Sequence, residues 1–174
     1  ERVTSAASLA FSRVIAVERE GGEGWSGGET IFEPARPERA PIFGLRRALD
    51  HSSAKFWLLA ADMPLIPGSL LAWLRSEFER APSAEMLVPI WNGRPQMLCA
   101  GYSAGLKSRV DERIGSGDFR MRSLMTLAAV VMVPEEELRS RWKGEPLMNV
   151  NTPEELEQAR RIDGDEKAAD PSRQ

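Results

Sequence analysis

Residues 56–61 form an unbroken apolar run, FWLLAA, that ends on Asp62-Met63-Pro64. This feature restricts the fold of the chain more than any other. The run is too short for an ordinary helix and apolar at every position, which suits a strand buried on both faces, as at the centre of a parallel sheet. Proline cannot continue a central ladder, so Met63-Pro64 turns the chain away and leaves Asp62 at the strand's carboxyl end. In open α/β sheets, ligands bind outside that end.

The rest of the pattern supplies partners for such a strand. Residues 2–11 have helical composition, and 13–17 are a β-branched run that reads as a strand. Residues 18–40 are broken by Gly and Pro, with room for a brief strand at 30–32. Helical spacing returns at 43–49 and at 69–80, where Leu70, Leu71, Trp73, Leu74 and Phe78 share a face. A strand is expected at 86–90, and Asn92-Gly93 is hairpin-turn chemistry leading into another at 95–102. Helices at 105–114 and 121–127, a strand at 128–133 and a helix at 135–141 follow. Thr152-Pro153-Glu154-Glu155 is a helix start, with threonine as cap, proline at the first helical position and glutamate three residues after the cap. Residues 163–174 read as a loose polar tail. This alternation predicts one α/β domain over residues 1–162, three layers deep, with helices on both faces of a mixed sheet.

The totals exclude several functions. A net charge of −3 gives no reason to expect a nucleic-acid or anionic-membrane partner. The longest apolar runs, 56–61 and 127–133, fall far short of the roughly 20 residues that span a bilayer. A single cysteine, Cys99, cannot form an internal disulfide, and it reads as a small core residue. A reducing, cytoplasmic address fits. The one histidine, His51, has no partners for a zinc site or a triad. No Gly-x-Gly-x-x-Gly follows a predicted strand, which argues against a nicotinamide oxidoreductase. The oligomeric state is not written in the sequence.

Three segments could carry chemistry. Asp62 could bind a cation, and its hard carboxylate oxygen suits Mg²⁺, which shares its shell between one or two protein oxygens, water and phosphate. It could equally cap the next helix or pair with an arginine. In Asn149-Val150-Asn151 two amides flank a valine just before the capped helix. Their oxygens could complete a Mg²⁺ shell without adding charge, or simply serve turn chemistry. Ala40-Pro41-Ile42-Phe43-Gly44 precedes a helix, and a helix N-terminus favours phosphate. Arg94, Arg120 and Arg122 are phosphate partners or surface arginines.

Together these segments resemble a known family. Residues 40–45, APIFGL, look like its Gly-Pro-Leu-Ala-Gly-Ile segment. Residues 58–64, LLAADMP, look like its strand ending in Cys/Ala-Asp-Met/Thr-Pro. Residues 149–156, NVNTPEEL, match its closing Asn-(Val/Ile)-Asn-Thr-Pro-Glu-(Glu/Asp)-Leu. The family is the MobA-like nucleotidyltransferases, typified by molybdenum cofactor guanylyltransferase. The resemblance implies a Rossmann-like domain that binds GTP with Mg²⁺ and transfers GMP to molybdopterin, releasing pyrophosphate. It places Asp62 on the metal-binding aspartate, Asn151 as a second metal-side ligand and Asn149 beside it. Glu33 falls on a nucleotide-contacting aspartate, Glu18 on a nucleotide-contacting asparagine, and Pro41 and Gly44 in the nucleotide-side segment. Independently of the resemblance, Arg94 and Arg120 are the arginines expected at substrate phosphate.

The same resemblance carries departures. The family opens with a strand and a loop, Leu-Ala-Gly-Gly-x-Ser-x-Arg-Met-Gly, that cradles phosphates, whereas this sequence opens in what reads as the first helix. A mostly parallel sheet lacking its first, central strand is therefore expected. Phe43 is bulkier than the family's alanine, and Ala40 replaces glycine. Two alternatives stay open: a non-catalytic binding module of the same fold, and a nucleotidyltransferase that uses CTP or a sugar phosphate.

Overall fold

The computed structural model describes residues 2–169, and the side chains of residues 2–162. Its elements are α1 (Arg2–Ala10), β1 (Ile15–Arg19), β2 (Glu29–Glu33), α2 (Pro41–Asp50), β3 (Lys55–Leu59), α3 (Gly68–Arg80), β4 (Met86–Trp91), β5 (Arg94–Pro95), β6 (Cys99–Ser103), α4 (Lys107–Gly115), β7 (Val130–Val133), α5 (Glu135–Arg141) and α6 (Pro153–Ala169). Short 3-10 turns occupy Ala104–Leu106 and Met121–Thr126.

The main sheet has the order β3-β6-β4, with β5 and β7 also on β4. β3, β4 and β7 point one way and β6 is reversed between β3 and β4. β1 and β2 form a separate parallel pair. Side chains alternate between two cores with period two. Leu87, Trp91, Cys99 and Trp57 pack with α1, α3 and α5 on one face. Met86, Val88, Ala100, Tyr102, Phe56 and Leu58 pack with α2 and α4 on the other. The three-layer α/β architecture is thus the expected one.

On α3, Leu70, Leu71, Leu74 and Phe78 are buried. Each contributes roughly 1.5–3 kcal/mol of burial, and Leu74→Ala would cost about 2–5 kcal/mol. Phe78 needs Gly101 on β6 beneath it, since a Cβ there would meet its ring at 2.5 Å.

The strand 56–61 differs from expectation. β3 ends at Leu59, every position is half-buried, and its sole described partner is the antiparallel β6. It is an edge strand among the described residues, because β6 inserts between it and β4. Residues 95–102 are two strands, since Cys99 N–H bonds back to Gln96 O at 3.0 Å and interrupts the ladder. The expected tail does not begin at 163, because α6 continues to Ala169; residues 170–174 lie outside the described residues. Asn92 (φ 49°) and Gly93 (φ 66°) are both left-handed, as a tight primed turn requires.

Candidate active site

Asp62 stands in the turn after β3, half-buried. Its Oδ1 is buried and has no hydrogen-bond partner among the described residues. Leaving a carboxylate oxygen dry and unpaired is costly. Its backbone oxygen accepts from Val150 N–H at 2.8 Å. That bond brings the Asn149-Val150-Asn151 segment onto Asp62, with Val150 half-buried and both asparagines exposed.

The same segment is tied to the helix behind it. Glu155 Oε2 accepts from Asn151 N–H at 2.7 Å and Thr152 N–H at 3.1 Å, and Thr152 Oγ1 accepts from Glu155 N–H at 3.1 Å. This is the reciprocal box foreseen from Thr152-Pro153-Glu154-Glu155, and it aims the positive end of α6 beside the asparagines.

Glu33, Pro41 and Gly44 form a second group. α2 joins β2 to β3; Glu33 is the last residue of β2, and Asp62 follows the end of β3 at Leu59. Glu33 is buried and pairs with Arg19 Nε at 3.1 Å. Gly44 lies beside Glu33: a Cβ there would stand 3.8 Å from Glu33 Oε2, an ordinary contact distance. Pro41 opens α2, whose cap residue Ala40 offers no side-chain bond. Phe43 meets Phe119 in a tilted ring contact at 5.0 Å, and Arg36 lies 4.1 Å over the Phe43 ring. A shallow cavity of 280 Å³ opens here, lined in part by Glu33, Phe43, Arg46 and Asp111.

The other expected residues are dispersed. Glu18 Oε2 accepts from Gly24 N–H at 3.1 Å and is turned into its own loop. Arg120 is exposed and clasps Asp118 with Nε and Nη2; those bonds, with the Arg120 backbone N–H, hold the Asp118 carboxyl far below the usual range. Arg94 and Arg122 are exposed, Arg94 on the hairpin that follows β4. Cys99 is fully buried and its thiol is pushed up to about 12, so it is no nucleophile. Sequence reading missed Arg19 and Glu145. Arg19 was visible as the strand neighbour of Glu18, but its pairing with Glu33 depends on the β1–β2 register.

A metal fits one of these places. The described residues hold no cluster of three or more His, Cys, Asp or Glu side chains, so an all-protein cage is excluded there. One orphaned carboxylate oxygen, joined through its residue's backbone to a segment that carries two asparagines, has the chemistry to suit an ion that keeps water and phosphate in its shell.

A family model, the MobA-like NTP transferase domain, matches residues 1–132. The chain belongs to that family of nucleotidyltransferase enzymes. A relative from Thermococcus gammatolerans, a probable molybdenum cofactor guanylyltransferase, is 31% identical over 117 residues, 67% of this chain and 59% of its own length. The chain spans a similar share, 56–58%, of other archaeal relatives of that name. Among solved structures, molybdopterin-guanine dinucleotide biosynthesis protein A from Archaeoglobus fulgidus superposes with a TM-score of 0.74 at 24% identity, covering 94% of this chain and 86% of that one. A Mycobacterium tuberculosis protein solved as a manganese complex reaches 0.60 at 13% identity, covering 91% and 83%. At these identities the two structures bear on fold alone. No helix among the described residues is long and apolar enough to cross a membrane.

Proposed function

We propose that the chain is the core of a Mg²⁺-dependent guanylyltransferase that moves GMP from GTP to molybdopterin in the cytoplasm. The observation that carries this reading is the buried, unpartnered Oδ1 of Asp62, locked by its own backbone to the Asn149–Asn151 segment. A buried carboxylate oxygen without a partner is a poor structural device and a good cation ligand. Bound there, Mg²⁺ would neutralise phosphate charge and align the in-line attack.

The residues would divide the work by position. Asp62 Oδ1 takes the cation, and Asn151 with Asn149 offers neutral amide oxygens on its open side. The N-terminus of α2, at Pro41, favours phosphate through its dipole. Glu33 over Gly44 stands at the nucleotide side. Arg94 is an exposed cation available to meet substrate phosphate.

The test is GMP transfer to molybdopterin with GTP and Mg²⁺, comparing wild type with Asp62→Ala. Loss of turnover in the variant is expected, and equal turnover sinks the reading. Calorimetry with GTP against CTP decides the nucleotide, with GTP expected to bind more tightly. A second reading, a binding module of the same fold, is favoured by Glu18 being occupied within its own loop. It predicts nucleotide binding without transfer.

A further inference from the structure

Residues 145–151 are held at both ends. At the far end, Val150 N–H donates to Asp62 O at 2.8 Å. At the near end, Glu145 Oε2 accepts from the Trp91 indole N–H at 2.9 Å and from the Asn92 side-chain amide at 3.4 Å. Between them Met148 N–H closes a turn on Glu145 O at 3.1 Å, and Leu147 is buried.

Trp91 is the last residue of β4 and is 1% exposed. A buried indole N–H usually finds an acceptor, and that of Trp91 finds Glu145. The hairpin that Glu145 grips is fixed from the other side by α5. Glu135 Oε2 accepts from Gly93 N–H at 2.9 Å. Arg139 donates to Asn92 Oδ1 at 3.0 Å, pairs with Glu135 at 2.7 Å, lies 4.1 Å over the Trp91 ring and reaches Glu145 at 4.0 Å. Gly93 N–H, and then Arg139, hold the Glu135 carboxyl below its usual range, so it stays ionised in this network.

We infer that Glu145 is a positioning residue: its grip on Trp91 and Asn92 sets where residues 148–151 lie against Asp62, and so where Asn149 and Asn151 stand. As a statement about the active site, the inference rests on the reading of that corner as the metal side. It makes the end of β4 a fixed post for a segment that belongs to the β3 edge.

The experiment measures amide hydrogen exchange at Val150 and Mg²⁺–GTP affinity by calorimetry in wild type, Glu145→Ala and Glu145→Gln. Glu145→Ala should speed Val150 exchange at least about tenfold, the scale of a lost hydrogen bond to a charged acceptor. Exchange at Leu87, in β4, should not change. Glu145→Gln keeps an acceptor oxygen on the same stem and should restore most of the protection. Mg²⁺–GTP affinity should weaken in the same order. Unchanged exchange at Val150 overturns the inference, as does equal acceleration at Leu87, which would mean global opening. Faster Val150 exchange with undiminished affinity overturns the link to the site. Faster Val150 exchange in a chain whose wild type binds no Mg²⁺–GTP supports the positioning of 148–151 and removes the guanylyl-transfer reading instead.

Discussion

Two acids at the carboxyl ends of strands, Glu33 and Asp62, live in opposite circumstances. Glu33 is buried against Arg19 and sits over Gly44. Asp62 has a buried oxygen with no partner. The contrast extends around Glu33, where Asp50 bonds both Arg46 and Lys107 across α2 and α4. Charges on that side are paired within the protein, as structure requires. At Asp62 the chain keeps an unsatisfied acceptor, and one backbone bond, from Val150 N–H, ties that residue to the 149–151 segment. An unpaired buried carboxylate oxygen is a candidate place for a ligand to bind.

The comparison can be broken first on transfer rate. Asp62→Ala should lower GMP transfer at least about 100-fold, the scale of losing a charge that stabilises the reacting phosphates. Glu33→Gln should lower it no more than about tenfold. A steady-state assay that finds the reverse order dissolves the contrast.

Stability should divide the other way. Glu33→Gln leaves Arg19 without its carboxylate and should cost about 1 kcal/mol in urea unfolding. Asp62→Asn replaces an unpaired buried acid by a neutral amide, and should change stability by less than about 0.5 kcal/mol or raise it.

Acid sharpens the same point. Hydrogen bonds from Arg46 and then Lys107 lower Asp50 from 3.8 to about 2. A carboxyl depressed in the folded state stabilises the fold above its unfolded value and loses that contribution as pH falls through the folded one. Unfolding followed between pH 4 and pH 2 should therefore show a loss that Asp50→Asn flattens. The smallest effect is at the cap: Glu155→Ala should cost about 0.5–1 kcal/mol, seen as faster amide exchange at Asn151 and Thr152.

Much of this was legible in the chain. Local signals survived intact: Asn92-Gly93 formed its turn, and Thr152 and Glu155 formed their box. The specific run at 58–64 and the segment at 149–156 gave the family and its central acid. Non-local pairing was not legible. An apolar strand reads as central whether its neighbour is parallel or reversed, so the insertion of β6 beside β3 could not be seen in residues 56–61. Arg120 looked free because a surface arginine and a phosphate ligand have the same sequence signature, although Asp118, two residues earlier, was a partner within reach. Glu145 gave no signal of its own. Its clue was Trp91, a large indole at the end of a buried strand whose N–H needed an acceptor somewhere.

The most direct test of the central claim is the metal dependence of nucleotide binding at Asp62. Calorimetry should be run with GTP on wild type and Asp62→Asn, each with Mg²⁺ and with EDTA. The account predicts that wild type loses at least about tenfold in affinity, or about 1.4 kcal/mol, when Mg²⁺ is removed, and that Asp62→Asn binds weakly and equally in both conditions. An Asp62→Asn variant with the full Mg²⁺ dependence of wild type would contradict it.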